Sequence, residues 1–200
     1  MEAQMSGTVQ FSCKCGKVSG RVADVTAKNS VRLACSCKHC RAFAAYLGDA
    51  ERSFQNDYVQ LMQTQPWMIS FESGKEYLRN LRLTAKGPLR WYASCCDTPL
   101  CNTLPRRFPP FVSILVANFA RQDDLPPVTF HAFCDHLPED QRVAPSGSSA
   151  FRKFVLQFLW RVVQGLPFRF RQNPFFDEKG VAISDTVPLD PLRKSAAYQA

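Results

Sequence analysis

The sequence predicts a mainly β fold that closes with one amphipathic helix and an extended tail. Three observations predict it. Fourteen prolines and nine glycines in 200 residues divide the apolar residues into short runs, which suits many short strands better than long helices. Within most of those runs apolar and polar residues alternate, the period of a strand with one buried face. A sustained helical spacing is convincing only after residue 147.

Residues 8 to 24 alternate around Val9, Phe11, Val18 and Val22 and read as a strand, a turn bearing Cys13 and Cys15, and a return strand. "SVRLAC" is a short strand leading into a second cysteine group, and "RAFAAYLG" a brief helical or bent segment that stops at Gly48. "WMISF", "LRNLRLT" and "LRWYASCC" are strand-like, separated by the turn sequences "ESGK" and "AKGP", and form a meander leading back to cysteines. "FVSILVANF" and "VTFHAFCDH" continue the pattern, with "DDLPP" between them. After the turn-rich "PEDQRVAPSGSSA", Ser148 or Ser149 can cap a helix with Phe151, Phe154, Val155, Phe158, Leu159 and Val162 on one face. Arg152, Lys153 and Arg161 lie on or beside its polar side, and Gly165 and Pro167 stop it. Such a helix can dock on the β body or lie on an anionic membrane, docking being the commoner outcome. The proline-broken, aromatic-studded tail is expected to wrap the body in extended form, with its last few residues disordered.

Lys and Arg number 25 against 17 Asp and Glu, a net charge of +8. The excess is scattered, without the basic run that marks a polybasic tail, so a solvated surface or an anionic-ligand pocket is favoured over a nucleic-acid footprint. No apolar run is long enough to span a membrane, and "MEAQMSGTVQFSCKCG" lacks the pattern of a signal peptide. A cytoplasmic protein is expected, in which nine cysteines stay reduced and point to metal or catalysis rather than disulfides.

Zinc suits four thiolates held tetrahedrally, and closely spaced cysteines in a tight turn aim two sulfurs at one point. Cys13 and Cys15 form one such pair, with Cys95, Cys96 and Cys101 of "SCCDTPLC" as natural partners. Cys35, Cys37 and Cys40 supply three ligands on their own, which leaves a position open for water or substrate. Cys134 reads as core or surface thiol. His39 is a loop histidine with an alternative outer role at the second group, His131 and His136 fall on opposite strand faces, either as two surface residues, the favoured reading, or with one of them approaching a site, and Arg41 is either a surface residue or a clamp for a substrate carboxylate.

In order, "CKCG", "CSCKHCR" and "WYASCCDTPL" resemble the motifs of the glutathione-dependent formaldehyde-activating enzyme and centromere protein V family, over roughly residues 8 to 135. The resemblance implies an Mss4-like zinc-binding β fold. It divides the chain into a zinc-binding domain, 1–145, and a C-terminal helix and wrapping tail, 146–200. It implies a structural zinc on Cys13, Cys15 and a later knuckle, and a catalytic zinc on Cys35, Cys37 and Cys40. The chain departs from the pattern at that knuckle: Cys96 matches its second cysteine, Ala93 stands at its first, and Asp97 replaces a glycine, which Asp's access to the left-handed region allows. Cys95, or Cys101 in a wider knuckle, restores the missing ligand, and Cys95 is preferred because it needs only a local change of turn. The implied activity is that of a carbon–sulfur lyase joining a small thiol of the glutathione type to an aldehyde. The competing expectation is a zinc-stabilised module without turnover that binds nucleic acid or a protein partner.

Overall fold

The structure is a computed structural model and describes residues 7–55, 58–134, 139 and 148–199. Alternation near the N-terminus produces an antiparallel hairpin of β1 (Gly7–Ser12) and β2 (Ser19–Val25), with Phe11 opposite Gly20. Antiparallel pairing of β2 with β6 (Ile69–Ser73) completes a three-stranded sheet. Position 20 is closed to any larger residue. A Cβ there would lie 2.6 Å from both the Phe11 ring and the Ser70 carbonyl oxygen, so glycine lets the ring lie against the strand.

The remaining strands form a second, nine-stranded sheet. They are β3 (Val31–Cys35), β4 (Phe54–Gln55), β5 (Tyr58–Thr64), β7 (Leu78–Leu81), β8 (Leu89–Ala93), β9 (Thr98–Thr103), β10 (Val112–Leu115), β11 (Val128–Ala132) and β12 (Thr186–Val187). Their order is β11-β3-β5-β10-β9-β8-β7-β12, with β4 paired to β5. The sheet is mixed, because β11 and β12 run parallel to β3 and β7 while the other pairs are antiparallel.

Every residue of β8, β9 and β10 is buried, because this sheet is covered on both sides. Met62, Trp91, Cys101 and Ile114 pack towards the small sheet, against Val9, Phe11, Val22 and Ile69. The alternate residues Leu61, Tyr92 and Leu115 pack with Phe43 and Tyr46 of α1 (Lys38–Tyr46). Phe175, from the tail, enters the inter-sheet layer with its ring 5.2 Å from Trp91 and 5.6 Å from Phe71. Burying one side chain of this size stabilises by about 1.5–3 kcal/mol.

After α1 the short helix α2 (Ala50–Ser53) is fixed by a buried carboxylate. Asp49 accepts from Arg52 Nε at 3.1 Å, Arg52 Nη2 at 2.8 Å and the Ser53 hydroxyl at 2.8 Å. Arg52 also donates to the Ala117 carbonyl and to Asn118 Oδ1, tying α2 to the segment after β10.

The long helix α3 spans Ser148–Gln164, so that Ser148 and Ser149, expected to cap it, lie within its first turn. Its buried face differs from the sequence expectation. Phe154 stacks on Phe130 with centroids 4.9 Å apart, Phe158 meets Phe111 at 6.3 Å, and Arg161, expected beside the polar side, is only 3% exposed. Arg161 Nη1 donates to the Gln63 carbonyl at 3.2 Å, and Gln65 Nε2 donates to the Arg161 carbonyl. Burial pushes the Arg161 guanidinium down to about 10. Phe151, Leu156, Leu159, Trp160 and Val163 are exposed. The Gln63 carbonyl near the end of β5 takes the guanidinium on this face, while the apolar residues exceed what one docking face can cover. Among the described residues no helix is long and apolar enough to cross a membrane.

The tail is extended only in part, and its end is ordered. It closes with α4 (Pro191–Ala197), whose Asp190 cap accepts from the Arg193 backbone N–H at 2.7 Å with proline at the first helical position. The Arg193 guanidinium lies 4.7 Å over the Tyr46 ring, Asp190 N–H donates to the Tyr46 hydroxyl, and the Tyr198 hydroxyl is 2.7 Å from His39 Nδ1. These contacts hold α4 on α1 where a disordered end was expected.

Replacing Asp190 with alanine should therefore lower unfolding stability by roughly 1 kcal/mol. A shift of the urea midpoint at unchanged slope measures it, and an unchanged midpoint would show that the cap carries no weight.

Candidate metal centres

Two turns that are distant in sequence build the first centre. At the β1–β2 turn, Cys13 is buried, its N–H donates to the Val18 carbonyl, and its sulfur accepts from Val18 N–H at 3.3 Å. At the β8–β9 turn, Cys96 N–H donates to the Ala93 carbonyl and Asp97 adopts φ 51°, the left-handed conformation that the missing glycine requires. Lys14 N–H donates to Thr98 Oγ1 at 3.1 Å and Lys14 Nζ lies 3.7 Å from Asp49, so both side and main chain of the residue between the first two cysteines are anchored.

The result is a four-sulfur cluster of Cys13, Cys15, Cys95 and Cys96. Sulfur separations are 3.5 Å for Cys13–Cys15, 3.9 Å for Cys13–Cys95, 3.4 Å for Cys15–Cys95 and 3.8 Å for Cys95–Cys96. Four sulfurs about 2.3 Å from one tetrahedral ion lie about 3.8 Å apart, so the set fits such an ion almost as it stands. Its charge distribution is uneven. Burial, aided by the neighbouring thiols, pushes Cys95 up, and burial also raises Cys13. Burial raises Cys96 as well, but hydrogen bonds from the Thr98 hydroxyl, the Cys15 backbone and the Cys15 and Cys13 thiols bring it down to about 6.

The second centre lies at the junction of β3 and α1. Cys35 ends β3, hydrogen-bonded between β5 and β11. Cys37 is the N-cap of α1, extended at φ −64° and ψ 139°, and its sulfur accepts from Cys40 N–H at 3.3 Å. Cys40 follows in the first turn, 3.7 Å from the Cys35 sulfur. The three sulfurs lie within 4.8 Å of one another, and among the described residues no fourth Cys, His, Asp or Glu joins them. Negative charge settles on Cys40, which the Cys35 and Cys37 thiols and then the Arg90 guanidinium hold well below the ordinary thiol range despite burial. Its neighbours lie above that range. Hydrogen bonds to Cys37 and Cys40 raise Cys35, while Cys37, pulled down by Cys35 but pushed up by Cys40 and by burial, stands at about 11.

This trio opens into a pocket of about 490 Å³. Its walls are largely apolar, with Leu33 and Leu61 from the sheet, Phe111 and Phe130 beside them, and Phe151 and Phe154 of α3 at the rim. Gln63, Arg90, Asn102 and Ser113 complete the sheet side. Both clusters are thus geometrically able to hold a metal ion, the first with four thiolates and the second with three and an open side.

The other candidates lie elsewhere. Cys101 is buried between the two sheets, on the opposite face of β9 from the pocket, and burial pushes its thiol well up. Cys134 is buried outside both clusters. His39 meets Tyr198, the Arg41 guanidinium lies 5.8 Å over the Phe54 ring and does not line the pocket, and His136 is outside the described residues. His131, expected at the surface, is half-buried, packs its edge on Tyr58 and lines the pocket. Sequence reasoning missed the pocket's polar residues, above all Arg90. Their one signal is a polar residue at the same depth in four apolar strands, in "LMQT", "LRWYA", "LCNT" and "VSIL".

No curated protein matches the chain. Among solved structures, a Rhodobacter sphaeroides protein is similar at TM-score 0.41 and 19% identity, over 62% of this chain and 98% of that one. A model of a family of unknown function, DUF6151, matches residues 5–182 and so takes in both cysteine clusters, the pocket and α3. The chain belongs to the DUF6151 family of unknown function.

Proposed function

We propose that the protein is a zinc-binding module with two centres of different kinds. Cys13, Cys15, Cys95 and Cys96 form a closed centre that holds the fold, and Cys35, Cys37 and Cys40 form an open centre that takes a ligand from the pocket. The observation that carries this reading is the convergence of these seven thiols into two groups within 4.8 Å. An all-sulfur donor set at tetrahedral spacing selects zinc over the oxygen-loving cations. Thiols gathered in two metal-ligand groups suit a reducing compartment, consistent with a cytoplasmic location.

One observation favours a second reading, in which the module also carries out the carbon–sulfur lyase chemistry that its motif resemblance implies. The open centre faces a pocket large enough for a small thiol, such as glutathione, together with an aldehyde. Bound zinc would supply thiol deprotonation and carbonyl polarisation. The chain's own contribution is placement. Cys37 and Cys40 sit at the N-terminus of α1, where backbone N–H groups and the helix dipole favour anionic sulfur, and Arg90 adds a buried positive charge beside Cys40. The reaction adds a thiol across the aldehyde carbonyl: the sulfur–carbon bond forms, the carbonyl π pair passes to oxygen, and the thiol proton ends on that oxygen. The module without turnover would instead use its basic surface on nucleic acid or a protein partner.

The purified protein should contain two zinc ions per chain by elemental analysis. Because a metal joining distant turns contributes directly to folding free energy, Cys13→Ser and Cys96→Ser should each give insoluble or unfolded protein, and parent-like melting of both would sink the structural assignment. Cys101→Ala should keep both zinc ions and cost roughly 1 kcal/mol through the small cavity it leaves; losing an ion on that change alone would move the fourth ligand from Cys95 to Cys101.

Cys37→Ser should lose one zinc and keep its circular-dichroism melt, since its ligands cross-link little chain. If the protein is an enzyme, adduct formation from thiol and aldehyde above the uncatalysed rate disappears in this variant. Turnover that persists with one zinc removes the lyase reading, and no turnover in the parent, with salt-sensitive nucleic-acid binding that survives the change, supports the module without catalysis.

A further inference from the structure

The sheet side of the pocket carries a feature that metal binding does not need. Arg90 on β8 stands opposite Asn102 on β9, Asn102 opposite Ser113 on β10, and Ser113 opposite Gln63 on β5. Four polar side chains therefore form one row across four adjacent strands, spanning about 14 Å at the usual strand spacing. They are 4%, 5%, 2% and 9% exposed, respectively, on a face otherwise built from Leu33, Leu61, Leu115 and Phe43.

The row is only half satisfied from within the protein. Arg90 Nη1 donates to Asn102 Oδ1 at 3.1 Å, but Arg90 Nε, Ser113 Oγ and Gln63 Oε1 are buried without a hydrogen-bond partner among the described residues. Each such atom costs about 1–3 kcal/mol while it stays unmatched. The Arg90 guanidinium lies 5.3 Å over the Phe43 ring and beside the Cys40 sulfur and, among the described residues, forms no ion pair with a carboxylate. Among the described residues, no Asp or Glu lines the pocket.

We infer that this pocket binds a monocarboxylate with an apolar body: Arg90 receives the carboxylate, Ser113 and Gln63 take a second polar group on the same molecule, and the aromatic wall covers the remainder. The inference deepens the reading of the open centre as a ligand site, but the acid's own binding requires no metal. It also narrows the thiol. Glutathione carries an ammonium group for which this pocket has no acidic side chain among the described residues, whereas an apolar mercapto acid would leave no charge unmatched.

Titration calorimetry on the full-length protein tests this, with 3-phenylpropanoate, the uncharged 3-phenylpropanol and glutathione as probes and zinc content measured on every sample. The acid should bind at least about tenfold more tightly than the alcohol, the worth of a charge-assisted hydrogen bond in a dry site, and more tightly than glutathione. Arg90→Met should bring acid and alcohol within about twofold of each other, while Ser113→Ala and Gln63→Leu, which lie away from the thiols, should weaken binding of the acid at unchanged zinc content. Equal affinity of the parent for acid and alcohol, tighter binding of glutathione, or discrimination that survives both Arg90→Met and Ser113→Ala overturns the inference. If Arg90→Met does not fold, the other two variants decide. Cys37→Ser separates this inference from the metal reading: acid discrimination should persist in it with or without loss of zinc.

Discussion

The meeting of the Cys13–Cys15 turn with the Cys95–Cys96 turn, across 80 residues of chain, is the contact on which the arrangement of the two sheets depends. Each turn ends a hairpin of a different sheet. Joining them fixes how the three-stranded sheet lies on the large one, and with it the shape of the layer that holds Trp91, Phe11 and Phe175. The surrounding bonds are arranged for this. Thr98 touches both turns, through Lys14 N–H and the Cys96 sulfur, and the buried Asp49–Arg52 pair reaches the same corner through Lys14. Sulfurs at 3.4–3.9 Å, with Cys96 brought down to about 6, form a group geometrically able to hold a metal ion.

The second cluster is built differently, and the contrast is informative. Its three sulfurs fall within six consecutive positions, so it closes almost no chain, and its open side faces space rather than packed side chains. A helix N-terminus and a buried guanidinium stabilise its charge, where the first cluster relies on hydroxyl and backbone hydrogen bonds. One brings distant turns together and the other lies beside an open pocket.

Much of this was legible in the sequence where local chemistry decides. The hairpin around Cys13, the strand into Cys35, the stop at Gly48 and the left-handed Asp97 follow from alternation and turn residues. Grouping Cys95 rather than Cys101 with the first pair followed from turn geometry, and the structure brings Cys95 to that cluster while Cys101 packs between the sheets. What was not legible depends on tertiary register. Arg90 looks outward in "LRWYA" until both faces of its sheet are known to be covered, and the polar row exists only once four strands are aligned. Arg161 is buried with its guanidinium on the Gln63 carbonyl of β5, 98 residues away. The end of the chain is a different case, since the Asp190–Pro191 start of α4 is a local signal that was overshadowed by the proline-rich composition around it.

The central strands present alternate residues to two layers with separate tasks. Along β9, Cys101 belongs to the layer that the four-sulfur clamp organises, while its neighbour Asn102 belongs to the pocket row. β10 divides Ile114 and Ser113 in the same way, and β5 divides Met62 and Gln63. Substitutions at the pocket positions can change size and polarity without touching the residues that position the sheets. The pocket side can therefore change while the scaffold stays, and such change is confined to every second residue of the same three strands.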